Sequence, residues 1–269
     1  MNFGILIPAR SNSSRLKQKH LRIINGKSIL NHLILRLLNS KIISSRKKII
    51  LCTTNKRIDN ELILHAKKNG INVSLGQEND MIGRFYNAIK NNNFDYLARV
   101  DGDDVYTDSK LLDIGLKKIV SYKKYIDYLE FKNIYLGLAP KFFTNKAILK
   151  LNKSIIKNNH STGFGYYFTR TDLLKKKFIN YNFKMKDKLI YFSLDFLSDL
   201  DIFKEVLDYY GNEFYALSSK DLSEFFENHK KIKNIFKKNF QKKAKYYSRE
   251  NKILLKFRSK RGNILNIKC

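Results

Sequence analysis

Residues 3–21, FGILIPARSNSSRLKQKHL, empty a short apolar strand into a loop that carries Arg10, Arg15, Lys17 and Lys19. Phe3, Ile5 and Ile7 with Gly4 and Leu6 form a nearly continuous apolar run, the pattern of a strand buried on both faces of a parallel sheet. The polar loop leaves the carboxyl end of that strand, where open α/β sheets bind ligands. Ser11, Asn12, Ser13 and Ser14 keep side-chain bulk low, so backbone N–H groups can approach phosphate oxygens. Arg10, Arg15 and Lys19 add charge-assisted donors. The stretch suits an enzyme that grips a nucleoside triphosphate; an exposed basic loop after a strand is the plainer alternative.

Beyond this stretch, strand and helix patterns alternate. Ser28 to Leu38 has helical spacing of Ile29, Leu30, Leu33, Ile34 and Leu37, and KKIILCTT is a second buried strand. Asp59 caps or opens a helix that ends at Gly70, INVSLG is a third strand, Met81 to Asn91 a helix, and DYLARVDGDD a fourth strand with acids at its carboxyl end. Such spacing implies right-handed crossovers and a Rossmann-like, mostly parallel α/β sheet flanked by helices. After Ser109 come a helix through Tyr122, then YIDYLEF and IYLGLAPKFF as strands, and a helix from Thr144. LIYFSLD (189–195) is a further buried strand, with the helix Leu197 to Tyr210 behind it. The expected organisation is a domain over residues 1–217, with a sheet extension and inserted β arm near 125–190, and a basic helical appendage over 218–269.

At 269 residues with 43% hydrophobic content, the chain can bury a real core. Cys52 and Cys269 make neither a disulfide framework nor a metal pattern. No basic leader precedes an apolar segment, and no apolar run approaches roughly 18 residues. A soluble, cytoplasmic protein is expected. The formal charge of +29 raises a nucleic acid or an anionic membrane as partner. Lysine is spread over most helices, however, and only Lys230 to Lys260 mixes basic clusters with aromatics. Contact of that tail with RNA or an acidic membrane stands against a solvated amphipathic helix.

The acids carry the chemistry. Asp101, Asp103 and Asp104 fall at one strand end and Asp195 at another, so a parallel sheet can gather them at one edge. Hard oxygen ligands there suit Mg²⁺, which takes one or two carboxylates and completes its shell with phosphate and water. Asp and Gly are also ordinary turn residues after a strand, so DGDD alone is weak.

In order, IPARSNSSRLKQKHL, INGKSILNHLILRL, GRFYNAIKNNNFDYLARVDGDD and FSLDFLSDLDIFKEV resemble the cytidylyltransferase family of CMP-KDO synthetases and acylneuraminate cytidylyltransferases, the spore-coat polysaccharide branch in particular. The resemblance runs from residue 3 to about 235, because EFYALSSKDLSEFFENHKKIKNI is similar to that branch's closing helix. It implies transfer of CMP from CTP to a sugar acid or related acceptor, with release of pyrophosphate. Carried over, Arg10, Arg15 and Lys19 would neutralise the triphosphate, and Pro8, Ala9 and Ser11 would shape the nucleotide cleft. Arg84 would stand near the cytosine, a surface salt bridge being its other reading. Asp103 and Asp195 would hold Mg²⁺. His160 and Thr162, in NHSTGFGYYF, resemble a segment of the acceptor pocket or a dimer arm. A homodimer is expected from the resemblance.

The chain departs from the family pattern where Asn12 stands for Gly, Lys17 and Gln18 for Pro-Gly, Val105 for Pro, and Asp101 for Gln or Thr. Asn12 tolerates a left-handed turn, and Asp101 adds a ligand or alters base contacts. A metal-dependent glycosyltransferase of GT-A type, with strand-end aspartates holding a nucleotide-sugar, is the alternative activity.

Overall fold

The computed structural model describes all residues except 14, 123–124, 157–164, 182, 184–188, 250–253 and 269. Its centre is a seven-stranded sheet of β1 (Phe3–Pro8), β4 (Ile49–Thr54), β5 (Asn72–Gly76), β6 (Tyr96–Arg99), β7 (Tyr128–Lys132), β8 (Lys141–Thr144) and β9 (Lys176–Asn180), in the order β5-β4-β1-β6-β8-β7-β9. β8 runs against its neighbours β6 and β7; the other pairs are parallel. The mostly parallel α/β architecture is thus present, and 125–190 extends the sheet with three strands. β2 (Ile23–Ile24) and β3 (Lys27–Ser28) form a small hairpin after the first loop. The chain leaves β1 toward β4 on one side and returns to β6 on the other. The crevice at that reversal is where such sheets bind ligands.

Alternation along β1 assigns its side chains to two cores. Ile5 and Ile7 join the layer of α1 (Ile29–Leu37), α2 (Asn60–Lys68), α4 (Ser109–Ser121) and α7 (Leu197–Tyr210). Leu6 faces α3 (Met81–Lys90), α5 (Asn145–Ser154) and α6 (Gly165–Thr169). Each fully buried Ile or Leu contributes about 1.5–3 kcal/mol relative to exposure. Of 218–269, α8 (Ser219–Asn228) and α9 (Lys230–Arg249) place Leu222, Phe225, Phe226, Ile232 and Phe236 in the first core. Arg36, fully buried, donates to the carbonyls of Tyr106, Thr107, Phe214 and Leu217. Burial lowers its pKa to about 10. The chain beyond α9 is a hairpin, β10 (Leu254–Arg258) with β11 (Ile264–Lys268), where a helix is expected from the sequence.

Two further expectations change. LIYFSLD is buried but joins no ladder: Phe192 N–H donates to Leu136 O at 2.7 Å and Leu194 N–H to Asp103 O at 3.0 Å. A Cβ on Gly137, which has φ +92°, would lie 2.2 Å from Phe192 O, so this segment crosses directly over that glycine. IYLGLAPKFF is extended only from Lys141; Ile134 to Pro140 is a turn that passes beneath Phe192.

Candidate active site

β1 delivers its loop to the crevice and β6 delivers DGDD opposite it. Gly102 makes their approach possible: its N–H donates to Pro8 O at 3.2 Å, and a Cβ there would fall 2.7 Å from His20 Nε2 and 2.9 Å from Ala9 Cβ. Ala9 N–H donates to Cys52 O, fixing the entry to the loop. The loop closes on itself where Gln18 N–H reaches Ser11 O at 2.9 Å. Gln18, with φ +51°, takes the left-handed conformation, whereas Asn12, which tolerates it, does not. Asp59 opens α2 as its N-cap residue, but its side chain makes no bond to the helix. It accepts from Ser11 N–H at 2.6 Å and from the Thr54 hydroxyl, bracing the loop from below. Ser11 Oγ is buried with no hydrogen-bond partner among the described residues, a donor and acceptor left for something else.

Lys19 is the hub. Its ammonium bonds Asp103, donates to Leu194 O at 3.0 Å and lies 3.5 Å from Asp195 Oδ1. Burial alone would lower its pKa, but the two carboxylates and the hydrogen bond to Asp103 outweigh that and the repulsion of Arg15, so it is raised. Arg15 donates to Asp195 Oδ1 through Nε at 3.0 Å and Nη2 at 2.8 Å. Lys19, Arg15, Asp103 and Asp195 therefore converge. Asp195 stands one residue before the N-cap of α7, not at a strand end. Asp104 is half-buried beside Asp103 and Asp101, and desolvation with their repulsion raises its pKa well above the usual aspartate value.

The other residues singled out in the sequence lie around this centre. Arg10 pairs with Glu78 Oε1 at 2.7 Å, and Glu78 also takes Lys56. Arg84 is buried rather than on the surface; it donates to Cys52 O at 3.2 Å and Glu78 O at 3.1 Å, clamping the end of β4 to the 77–80 loop. Asp101 forks with Arg99, at 2.7 and 2.5 Å. Burial opposes the Asp101 charge, yet Arg99 prevails and lowers its pKa. His160 and Thr162 lie outside the described residues.

Beyond Asp101 opens a cavity of about 810 Å³ that the sequence does not announce. Register explains it. Arg99 pairs with Lys141, Lys141 with Glu130 and Glu130 with Phe178, so one row across four strands shares a face. Two residues away, back along β6 and β7 and forward along the antiparallel β8, the same face is apolar, with Leu97, Tyr128 and Phe143. The layer of α5 and α6 stops there, and the charged row is left facing a space closed by Tyr166 and Arg170. Glu130 takes Lys132 at 3.1 Å and the Tyr128 hydroxyl at 2.9 Å.

A profile of the family described as Cytidylyltransferase matches residues 4–253. The chain belongs to the cytidylyltransferase family. A cytidylyltransferase structure from Leptospira borgpetersenii serovar Hardjo-bovis superposes with a TM-score of 0.75 at 28% identity, covering 86% of this chain and 96% of that one. An uncharacterised protein of Methanocaldococcus jannaschii is 30% identical over 233 residues, 86% of this chain and 92% of its own length. The spore coat polysaccharide biosynthesis protein SpsF of Bacillus subtilis is 26% identical over 149 residues, 55% of this chain and 61% of SpsF. The family match ends at residue 253, after α9 and before β10. Among the described residues, no helix is long and apolar enough to cross a membrane.

Proposed function

We propose that this cytidylyltransferase transfers CMP from CTP to an anionic sugar acceptor of the sugar-acid type, releasing pyrophosphate. The observation that carries the reading is the convergence of Lys19 and Arg15 with Asp103 and Asp195 at the β1/β6 crevice. Two cations and two acids at one point suit a triphosphate that brings its own metal. Mg²⁺ fits this donor set. Among the described residues no group of three His, Cys, Asp or Glu side chains forms a metal cluster, and Mg²⁺ needs only one or two carboxylates beside phosphate oxygens and water. Asp103 and Asp195 would hold it, and when bound it would offset the charge of the α-phosphate and the leaving group.

Lys19 and Arg15 exchange part of their carboxylate contacts for phosphate oxygens, and the Ser11 hydroxyl is free to bond one of them. Arg10 at the rim supports the distal phosphates. An acceptor oxygen attacks the α-phosphorus in line; the new P–O bond forms as the bond to the bridging oxygen of pyrophosphate breaks, and the acceptor proton is lost to solvent or a neighbouring base. Positioning and electrostatics supply most of the rate in such substitutions. The cavity beside Asp101 suits the acceptor. Among the described residues Lys141 and Arg170 form no salt bridge with a carboxylate, and the rings of Tyr166 and Phe178, each with a cation over it, line the same space.

A pyrophosphate-release assay with the four triphosphates, Mg²⁺ and a panel of sugar acids tests the proposal. CTP-dependent release stimulated by one sugar acid supports it. Sugar transfer from a nucleotide-sugar with no pyrophosphate release would favour the GT-A-type glycosyltransferase instead. The homodimer is part of the proposal and is tested by light scattering.

A further inference from the structure

Asn239 is only 1% exposed, although it lies on α9 in the basic stretch FKKNFQKKAK. Burying a carboxamide costs free energy unless its polar atoms are met. Here they are met by the first turn of α7. Nδ2 donates to Asp199 Oδ1 at 2.7 Å and to Ser198 Oγ at 2.9 Å, and Oδ1 lies 3.1 Å from the same hydroxyl.

Asp199 passes this on to the acid cluster. Its Oδ2 accepts the backbone N–H of Asp195 at 2.8 Å and of Phe196 at 2.9 Å, while Oδ1 also accepts from the Tyr191 hydroxyl at 3.0 Å. The direction in which the Asp195 side chain leaves the backbone is therefore set by a carboxylate held from α9. α9 touches the same turn twice more: the Phe236 ring lies 5.0 Å from that of Tyr191, and Lys242 sits 5.9 Å over the Phe196 ring. An amide serves better here than a cation. It donates to Asp199 without drawing the carboxylate's charge away from the two backbone N–H groups.

We propose that α9 is a positioning element of the reaction, in which Asn239 fixes Asp199 and Asp199 fixes the backbone at Asp195. This rests on the role given to Asp195 above. Partners that orient a metal ligand from behind commonly change metal affinity or activity about 10- to 100-fold when removed.

The test uses the full chain and Asn239→Leu, which keeps the branched shape, adds bulk, and removes both N–H donors and the acceptor. Amide hydrogen exchange at Asp195 and Phe196 is expected to rise about tenfold. Half-saturating Mg²⁺ for CTP turnover is expected to rise about tenfold, with the acceptor KM within about twofold of wild type. Asn239→Asp, the isosteric change that sets a second acid against Asp199, should move both readouts the same way and serves if the leucine variant does not fold. Ile232→Ala thins the packing of the same helix and should move neither. Unchanged exchange at both amides overturns the proposal, as does faster exchange with unaltered Mg²⁺ dependence, or an equal Mg²⁺ shift in Ile232→Ala. Should the wild type release no pyrophosphate from any triphosphate, the proposed function fails and the exchange comparison alone decides the brace.

Discussion

Arg15 and Asp195, 180 positions apart, are joined through two guanidinium nitrogens on one carboxylate oxygen, with Nε at 3.0 Å and Nη2 at 2.8 Å. The Asp195 side chain is 3% exposed and that of Asp103 21%. The two acids should therefore respond differently to the same change. Asp195→Asn leaves Arg15 and Lys19 short of a buried counter-charge and is expected to cost about 2–4 kcal/mol of stability as well as Mg²⁺-dependent turnover. Asp103→Asn is expected to abolish turnover at a stability cost below about 1 kcal/mol. Denaturant melts with pyrophosphate release check both, and wild-type rates in either variant contradict the assignment.

His20 gives the fold an acid-sensitive point. Burial, with a smaller contribution from Lys19, pushes its pKa down to about 3. The folded state keeps His20 neutral while the unfolded chain binds a proton below about pH 6.5, so the unfolded state holds more protons between those values. Stability linked to this group is present above pH 6.5 and is lost as pH falls toward 3, by up to about 5 kcal/mol. His20→Gln should flatten the fall in Tm between pH 6.5 and 4. An unchanged slope would show that the imidazole is not the group responsible.

Gly102→Ala inserts a methyl where 2.7 Å separates the new carbon from His20 Nε2 and 2.9 Å from Ala9 Cβ. The loops after β1 and β6 must part by several tenths of an ångström. Stability is expected to fall by about 1–3 kcal/mol and kcat/KM by roughly 10-fold, since a full 1 Å of misplacement costs about 100-fold. A variant with wild-type kcat/KM would mean that the spacing of the two loops is not critical.

Gln18 holds φ +51° without glycine's freedom. Gln18→Gly should relieve a strain of about 1–2 kcal/mol, partly offset by glycine's entropy in the unfolded chain, for a net gain of about 0.5–1 kcal/mol. The thermal midpoint should rise with CTP affinity unchanged. A lower midpoint would place the side chain among contacts that hold the loop.

Much of this was legible in the sequence because periodicity is local. The run Phe3 to Pro8, the spacing through Leu37 and the stretch Leu197 to Tyr210 each declare their element within a dozen residues. The meeting of Lys19 with Asp103 was also legible, since a parallel sheet presents its loops at one edge; Asp195 joins them from the turn before α7 rather than from a strand, which composition does not reveal. Register was not. Nothing near Lys141 reveals that it sits beside Arg99 and Glu130, so the cavity stayed hidden. Asp59 carried the signal of a helix cap, and only tertiary placement turns it toward Ser11. Asn239 lay inside a lysine-rich helix whose charge masked a single buried amide. LIYFSLD has the composition of a strand, but its backbone finds partners one at a time over Gly137.

Calorimetric titration of CTP and CMP, with Mg²⁺ present, into the wild type and Lys19→Ala tests the central claim most directly. The account predicts uptake of CTP by the wild type, and a loss of CTP affinity in Lys19→Ala at least about tenfold greater than the loss for CMP, because the ammonium serves the distal phosphates. No uptake of any triphosphate by folded wild type, or equal losses for the two nucleotides, would contradict it.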